Sequence, residues 1–258
     1  MKCKICQKEC KKIFDAVILK KYNGSYYHCE YCNFLFVDEP RIWLDEAYKN
    51  SISLEDTGIM RRNIAISQSL SIVLYTLFKD NGKFLDFAGG YGILVRLMRD
   101  YGFDFYWKDI YSENLIARGF EGNLDEQYSA VTCFECFEHF LEPIQEIEKL
   151  AKISTTIIFT TELLPSPIPK PSDWWYYCLS TGQHICFYSK RTLEIIAQKL
   201  NLEYVRFINL HIFCEKENAK KIKTQYLGSR FIRKIYIEFL RRRLESKNFS
   251  DHLKMSGR

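Results

Sequence analysis

A buried apolar strand that runs without a break into a glycine-rich turn and then a helix admits few folds. The segment Phe84-Leu85-Asp86-Phe87-Ala88-Gly89-Gly90-Tyr91-Gly92 is such a junction. Its glycines let the backbone approach a ligand closely, and the helix expected from residue 93 presents unpaired N–H groups to a polar or anionic group. Asp109 stands 23 residues beyond Asp86, at the end of the next expected strand. A carboxylate there can accept both hydroxyls of a ribose, the geometric logic of nucleotide-binding βαβ units. Loop, acid and βαβ pattern together predict a ligand that contains a nucleoside. A tight turn beside a solvated Asp is the competing structural reading.

The flanking segments carry the same rhythm. Ile59, Ile64, Ile66, Leu70, Val73, Leu74 and Leu77 recur near helical spacing and predict a helix over 58–78, ended by Asn81-Gly82. Strands are expected at 84–87, 104–109, 130–134 and 155–160, helices at 93–100 and 143–152, and a short helix or turn at 115–117. Residues 162–183 interrupt this with four prolines and Trp174-Trp175-Tyr176-Tyr177. A helix over 190–200 and two strands, 204–209 and 211–215, close the pattern as an antiparallel pair. The expected fold class is α/β: a Rossmann-like, doubly wound, mostly parallel sheet with an antiparallel terminal hairpin. A small N-terminal zinc knuckle and a basic C-terminal helix are added to it. The corresponding division is 1–40 knuckle, 41–215 main domain and 216–258 tail, with a short helix near Trp43, Ala47 and Tyr48 in the connecting segment 41–57.

Cys3-x2-Cys6 and Cys29-x2-Cys32 enclose 22 residues. That spacing lets two tight turns present four thiolates tetrahedrally to Zn2+, and four cysteine ligands leave no open position, so the metal is expected to be structural. Cys10 and His28 are the substitutes. Between the pairs, short strands are expected at 12–19 and 26–27 around an Asn23-Gly24 turn. Cys133, Cys136, Cys178, Cys186 and Cys214 sit in apolar surroundings and read as buried hydrophobes. No 18-residue apolar run and no signal peptide is visible, which predicts a cytoplasmic protein whose ten cysteines are reduced.

The segment from Asp86 to Gly92 resembles the first motif of class I methyltransferases that use S-adenosylmethionine, with Ala88 where glycine is usual. Thr132-Cys133-Phe134-Glu135-Cys136-Phe137-Glu138-His139 resembles their fourth-strand motif. The resemblance covers residues 56–215 and implies S-adenosylmethionine as cofactor. It places Asp86, Ala88, Gly89, Gly90, Gly92 and Asp109 around that cofactor, Glu135 near its methionine end, and Gly119-Phe120-Glu121 near its adenine. Asp56-Thr57-Gly58 with Arg62-Asn63, and Asp173-Trp174-Trp175 with Gly182-Gln183-His184 and Phe187-Tyr188-Ser189, resemble a bacterial subgroup linked to sugar and glycan modification. The implied activity is methylation of a small-molecule or glycan-linked sugar acceptor, most simply at oxygen.

Methyl transfer from a sulfonium is an in-line displacement that needs alignment and exclusion of water but no metal. A hydroxyl acceptor also needs a base. His184 is the first candidate, its ordinary titration range suiting neutral pH. Glu138 and His139 are rivals, although adjacent positions at a helix start diverge, and both also read as helix-capping charges. Trp174, Trp175, Tyr176 and Tyr177 are candidate substrate-binding rings, with pinning of the long loop as the alternative role. The aromatic share of 16% permits either.

The net charge of +5 is unevenly spread. Residues 216–258 hold 13 Lys/Arg against 4 Asp/Glu, and residues 1–215 hold 24 against 28, so the body is mildly acidic. Nucleic acid is therefore not the expected partner. The stretch 222–244 mixes Leu227, Phe231, Ile235, Phe239 and Leu240 with Arg230, Arg233, Lys234 and Arg241-Arg242-Arg243, an amphipathic basic helix suited to peripheral contact with an anionic membrane surface. Two alternatives stay open: an RNA methyltransferase that grips phosphates with knuckle and tail, and a non-catalytic binding module.

Overall fold

The computed structural model describes residues 1–49, 52–225 and 229–257. The chain groups into two compact units, and both are assembled from separated stretches.

One unit holds residues 54–134, 150–159 and 202–258. Its six-stranded sheet runs β5-β4-β6-β7-β10-β9. Strands β4 (Lys83–Phe87), β5 (Asp104–Lys108), β6 (Ala130–Cys133) and β7 (Ile157–Phe159) are parallel, while β9 (Glu203–Phe207) and β10 (Leu210–Cys214) form the antiparallel end. The result is the expected α/β class with its terminal hairpin. Each central strand is a short apolar run with almost nothing exposed, as strands covered on both faces require. Helix α2 (Ile59–Phe78) buries Ile66, Leu70, Val73 and Leu74 and leaves Ile64 exposed. It ends when Lys79 turns to φ +59°, ahead of the Asn81-Gly82 pair. Helix α3 (Ile93–Asp100) follows the glycine loop directly. The segment 115–117 is a bend, with turn only at 118–119 and no helix.

The tail departs from a single basic helix. Helices α6 (Lys216–Thr224) and α7 (Arg230–Arg243) are separate, and Ser229, in extended backbone, caps α7 by accepting from Ile232 N at 3.1 Å. Leu227 lies outside the described residues. Leu240 is fully buried, whereas Phe231, Ile232, Ile235 and Phe239 are exposed. An unforeseen last helix, α8 (Asn248–Met255), is anchored by Asp251, which takes a two-pronged ion pair from Arg99 at 2.8 and 2.7 Å.

The other unit holds residues 1–53, 135–149 and 160–201. Its antiparallel sheet runs β1 (Lys11–Ile18), β2 (Tyr22–Cys29), β3 (Phe34–Val37) and β8 (Cys186–Phe187). The amino-terminal sheet thus takes its fourth strand from far along the chain, and the units do not follow a contiguous 1–40 and 41–215 division. The hairpin turn is Leu19-Lys20, at φ +52° and +59°, not Asn23-Gly24. Asn23 and Gly24 lie within β2, paired with Val17 and Ala16. Gly24 is there for space: a Cβ would stand 2.5 Å from Ile18 Cδ1 and 2.9 Å from Val37 Cγ2. Helix α1 (Arg41–Ala47) is the short helix expected in the connecting segment, and Trp43 donates through Nε1 to the Gly182 carbonyl at 2.9 Å. Helix α5 (Lys190–Lys199) starts at a capping box between Ser189 and Thr192, and the Thr192 hydroxyl also donates to the Cys32 carbonyl at 2.8 Å. The cysteine turn is thereby tied to the helix start. Among the described residues no helix is long and apolar enough to cross a membrane.

Candidate active site

The glycine loop is held from both sides. Asp86, buried at the end of β4, accepts from the Thr132 hydroxyl at 2.6 Å. Burial pushes its carboxyl up to about 7, against the opposing Thr132 hydrogen bond and with a further push from Asp109. Trp107 on β5 donates through Nε1 to the Gly90 carbonyl at 2.8 Å, and Gly90 N donates to Asp109 at 2.9 Å. Asp109 also accepts from the backbone of Tyr111 and Ser112 at 2.7 and 3.0 Å. Loop and acid are therefore one preorganised unit. Gly92 adopts φ +84°, which favours glycine, and Ala88 adopts φ +57° in spite of its side chain.

Gly89 cannot carry a side chain without movement. A Cβ there would stand 2.8 Å from Trp107 Cδ1 and 2.9 Å from Asp86 Oδ2. Gly89→Ala is expected to weaken binding of the nucleoside-containing ligand about 10- to 100-fold through displacement of the loop. Calorimetric titration measures this, and unchanged affinity would show that the loop absorbs a methyl group freely.

Phe120, expected near the adenine, packs in the apolar core. It is buried, with the Arg99 guanidinium 3.8 Å above its ring, because the charged Arg99 needs both a flat surface and its acidic partners. The neighbouring Glu121 accepts from the Gly119 backbone and from Asn114.

A second cluster lies in the unit that contains β8. Glu138 and His139 sit on a single 3-10 turn, Phe137–His139, and His184 lies just before β8. The Glu138 carbonyl accepts from Ile185 N at 2.8 Å, which joins the two segments. His184 Nδ1 lies 2.8 Å from the Tyr176 carbonyl. A carbonyl only accepts, so Nδ1 carries the hydrogen and Nε2 the lone pair. His139 Nδ1 is 3.1 Å from the Gln183 carbonyl and 2.8 Å from the Tyr48 hydroxyl, and the Glu135 carbonyl also bonds this ring. The rings meet edge to face, with centroids 5.0 Å apart. Burial holds His139 down to about 3, with His184 adding to it, and His184 down to about 4, so both rings are neutral. Burial, reinforced by the charge of Glu135, pushes Glu138 up to about 8. Both Glu138 oxygens are buried without a hydrogen-bond partner; the Tyr176 and Thr161 hydroxyls offset part of the burial effect. Glu135, at φ +50°, accepts from the Thr160 hydroxyl at 2.7 Å.

The expected aromatic wall is mostly internal. Trp174, Tyr176 and Tyr177 are buried and pack on one another and on Phe187, pinning the irregular segment to the sheet. The Tyr177 hydroxyl donates to the Pro169 carbonyl at 2.9 Å. Only Trp175 among the four is open to a ligand, at 74% exposed. The tight packing of three rings explains why the prolines and aromatics occur together.

Cys3, Cys6, Cys29 and Cys32 converge, with Sγ separations of 3.4 Å for Cys3–Cys32 and 3.5 Å for Cys6–Cys29. Tetrahedral zinc with Zn–S near 2.3 Å sets sulfurs about 3.8 Å apart, so this donor set fits the ion. Of the substitutes, His28 Nε2 is engaged by Asn33 at 2.6 Å, whereas Cys10 lies beside the cluster, its thiol pushed up by burial and by Cys3 and Cys29. Of the remaining cysteines, all but the half-buried Cys178 are buried.

Sequence reasoning missed Trp107 and Tyr48 as site residues and quoted Gln183 only within the Gly182-Gln183-His184 motif. None belongs to a periodic pattern that marks it, and only the position of Gln183 beside His184 offers a signal.

Comparison with known proteins adds the following. The family described as "Methyltransferase domain" matches residues 60–206, more than half of the chain. No curated protein sequence matches. Solved structures with similar folds include an O-methyltransferase family protein from Burkholderia thailandensis, 16% identical, covering 69% of this chain and 68% of that one, with a TM-score of 0.45. A magnesium protoporphyrin IX methyltransferase from Synechocystis with bound S-adenosylhomocysteine is 14% identical over 68% of this chain and 93% of that one, with a TM-score of 0.40. A methyltransferase of calicheamicin biosynthesis, also bound to that product, is 13% identical over 64% of this chain and has a TM-score of 0.42. The chain spans 62% of its length, less than two thirds.

Proposed function

From the premise that this chain belongs to the methyltransferase-domain family, we propose that it transfers the methyl group of S-adenosylmethionine to a hydroxyl on a sugar or glycan-linked acceptor. The observation that carries this reading is the braced loop from Asp86 to Gly92, in which Gly90 N is already hydrogen-bonded to Asp109. Loop backbone N–H groups and the Asp109 carboxylate offer the donors and the acceptor that a nucleoside-containing ligand requires.

Glu135, Glu138 and His139 follow β6 immediately in the chain. Glu135 is the residue assigned to the methionine end of the cofactor. His184 is assigned to take the acceptor proton through Nε2, its Nδ1 hydrogen being committed to the Tyr176 carbonyl, with burial holding its basicity below the ordinary imidazole range that the sequence suggested. Trp175 is the ring assigned to stack on the acceptor. The four amino-terminal cysteines are assigned to one structural zinc ion, and cytoplasmic residence fits their reduced state. The exposed Phe231, Ile232, Ile235 and Phe239 of α7, interleaved with Arg230, Arg233 and Lys234, are assigned to peripheral contact with anionic membrane.

Incubation with methyl-labelled S-adenosylmethionine against nucleotide sugars and extracted glycans is expected to label an oxygen of the acceptor. Label found only in RNA would overturn the reading. For His184→Ala, turnover is expected to fall about 10²- to 10⁴-fold while cofactor affinity survives. Unchanged turnover would remove His184 from the chemistry.

A further inference from the structure

We propose that Glu138, His139 and His184 form a binding site for one divalent transition-metal cation, distinct from the cysteine site, and that the acceptor hydroxyl completes its coordination shell. This rests on the hydroxyl-methylation reading and specifies how the hydroxyl is activated.

Three observations converge. One ligand atom from each of the three residues lies within 4.8 Å of the others. Both oxygens of the Glu138 carboxylate are fully enclosed and lack a hydrogen-bond partner, an arrangement that is costly unless a cation or a ligand group meets them. His184 points its Nδ1 hydrogen at the Tyr176 backbone carbonyl. That is the outer-shell arrangement by which proteins aim Nε2 at a metal. The scaffold is set in advance, since Ile185 N holds the Glu138 carbonyl and the His184 ring packs against Tyr176 with centroids 4.5 Å apart.

The donor set names the ligand class. Two neutral imidazoles and one carboxylate suit Zn2+, Fe2+, Co2+ or Mn2+, and three protein ligands leave at least one position open. The cysteine cluster differs on both counts: its donors are all sulfur and its shell is closed. In the open position an acceptor hydroxyl bonds the cation through oxygen and becomes more acidic. Its O–H bond breaks, with the proton passing to a water molecule. The oxygen lone pair forms the C–O bond as the C–S bond of the sulfonium breaks, and that electron pair returns to sulfur as a neutral thioether. With a cation present, the His184 Nε2 lone pair serves the metal, so both routes predict lost turnover in His184→Ala and only metal binding separates them.

The test is a Co2+ titration of the full-length protein followed by absorption spectroscopy. One equivalent with intense sulfur-to-cobalt charge transfer reports the cysteines. A second equivalent, with weak d–d bands and no sulfur charge transfer, is expected for the proposed site. Glu138→Gln and His184→Asn are each expected to weaken this second equivalent roughly 100-fold or more and to leave the first unchanged. S-adenosylmethionine binding by each variant verifies that it is folded, and a variant that fails this check is replaced by His139→Asn. Absence of the second equivalent, or its persistence in both folded variants, overturns the site. Cobalt binding is scored without turnover, so a chain that methylates glycans but binds no second cobalt refutes this inference alone. A chain that binds it and methylates no hydroxyl refutes the acceptor reading, and with it the hydroxyl in the shell, but leaves the cation site standing.

Discussion

Cys32→Ser is expected to abolish cooperative folding of the unit built on β1, β2, β3 and β8. Cys32 is completely buried, its Sγ lies 3.4 Å from that of Cys3, and its carbonyl receives the hydroxyl of Thr192 at the start of α5. A structural zinc ion contributes about 10–16 kcal/mol of apparent binding free energy in small zinc-dependent folds. That is comparable with the whole stability of an ordinary domain, about 5–15 kcal/mol. The rings of Tyr26, Phe34, Phe36, Phe187 and Tyr188 pack on this sheet, so their ordered environment is expected to vanish with the metal. Near-ultraviolet circular dichroism should lose its aromatic signal, and a thiol-reactive titration of the native chain should release one zinc per chain through the cysteines. A variant that keeps both its spectrum and its melting temperature would show that the four thiols are packed hydrophobes.

Asp251→Ala is expected to destabilise the unit that carries the six-stranded sheet by about 3–5 kcal/mol, the cost of stranding a buried charge. Arg99 is almost fully buried and is held by Asp251, by Asp104 at 2.8 Å, by the Phe105 carbonyl at 2.9 Å and by the Phe120 ring. Removal of Asp251 takes away two of its hydrogen bonds, and also the bond to Arg96 at 2.6 Å. Burial works against the charge on Asp251, but the hydrogen bonds and charges of Arg99 and Arg96 outweigh it and hold the carboxyl below its ordinary value. A depressed folded-state carboxyl adds stability that is complete above the unfolded value, about 4, and is lost as pH falls through the lower folded value. The urea midpoint of the native chain should therefore drop on acidification below about pH 4, and Asp251→Ala should lose that part of the drop. A variant within about 0.5 kcal/mol of the native chain would show that Arg99 finds water or another acid instead.

Much of the sheet was legible because its determinants are local. The helical spacing of Ile66, Leu70, Val73 and Leu74 gave α2 almost to the residue, and α3 follows its glycine turn as expected. The glycine loop and Asp109 declared themselves because a positive φ and a close backbone approach demand particular residues within a few positions. The Asn23-Gly24 turn failed for an instructive reason. Glycine serves tight turns and tight packing alike, and here Ile18 and Val37 claim the space where a side chain would stand. Phe120 and three of the four loop aromatics are buried, and because a ring's chemistry is the same in a pocket and in a core, the sequence left binding and loop pinning open for the four.

What the chain announced by itself was chemistry set by short-range spacing: the two Cys-x2-Cys turns, the strand–glycine–helix junction with its acid, and the alternation of strand and helix. What only tertiary structure decided was which distant segments meet. Cys186-Phe187 closes the amino-terminal sheet, Asp251 reaches Arg99 across 152 residues, and His184 joins Glu138 and His139. Such encounters depend on shape and burial summed over the folded chain, and neither leaves a period along the sequence.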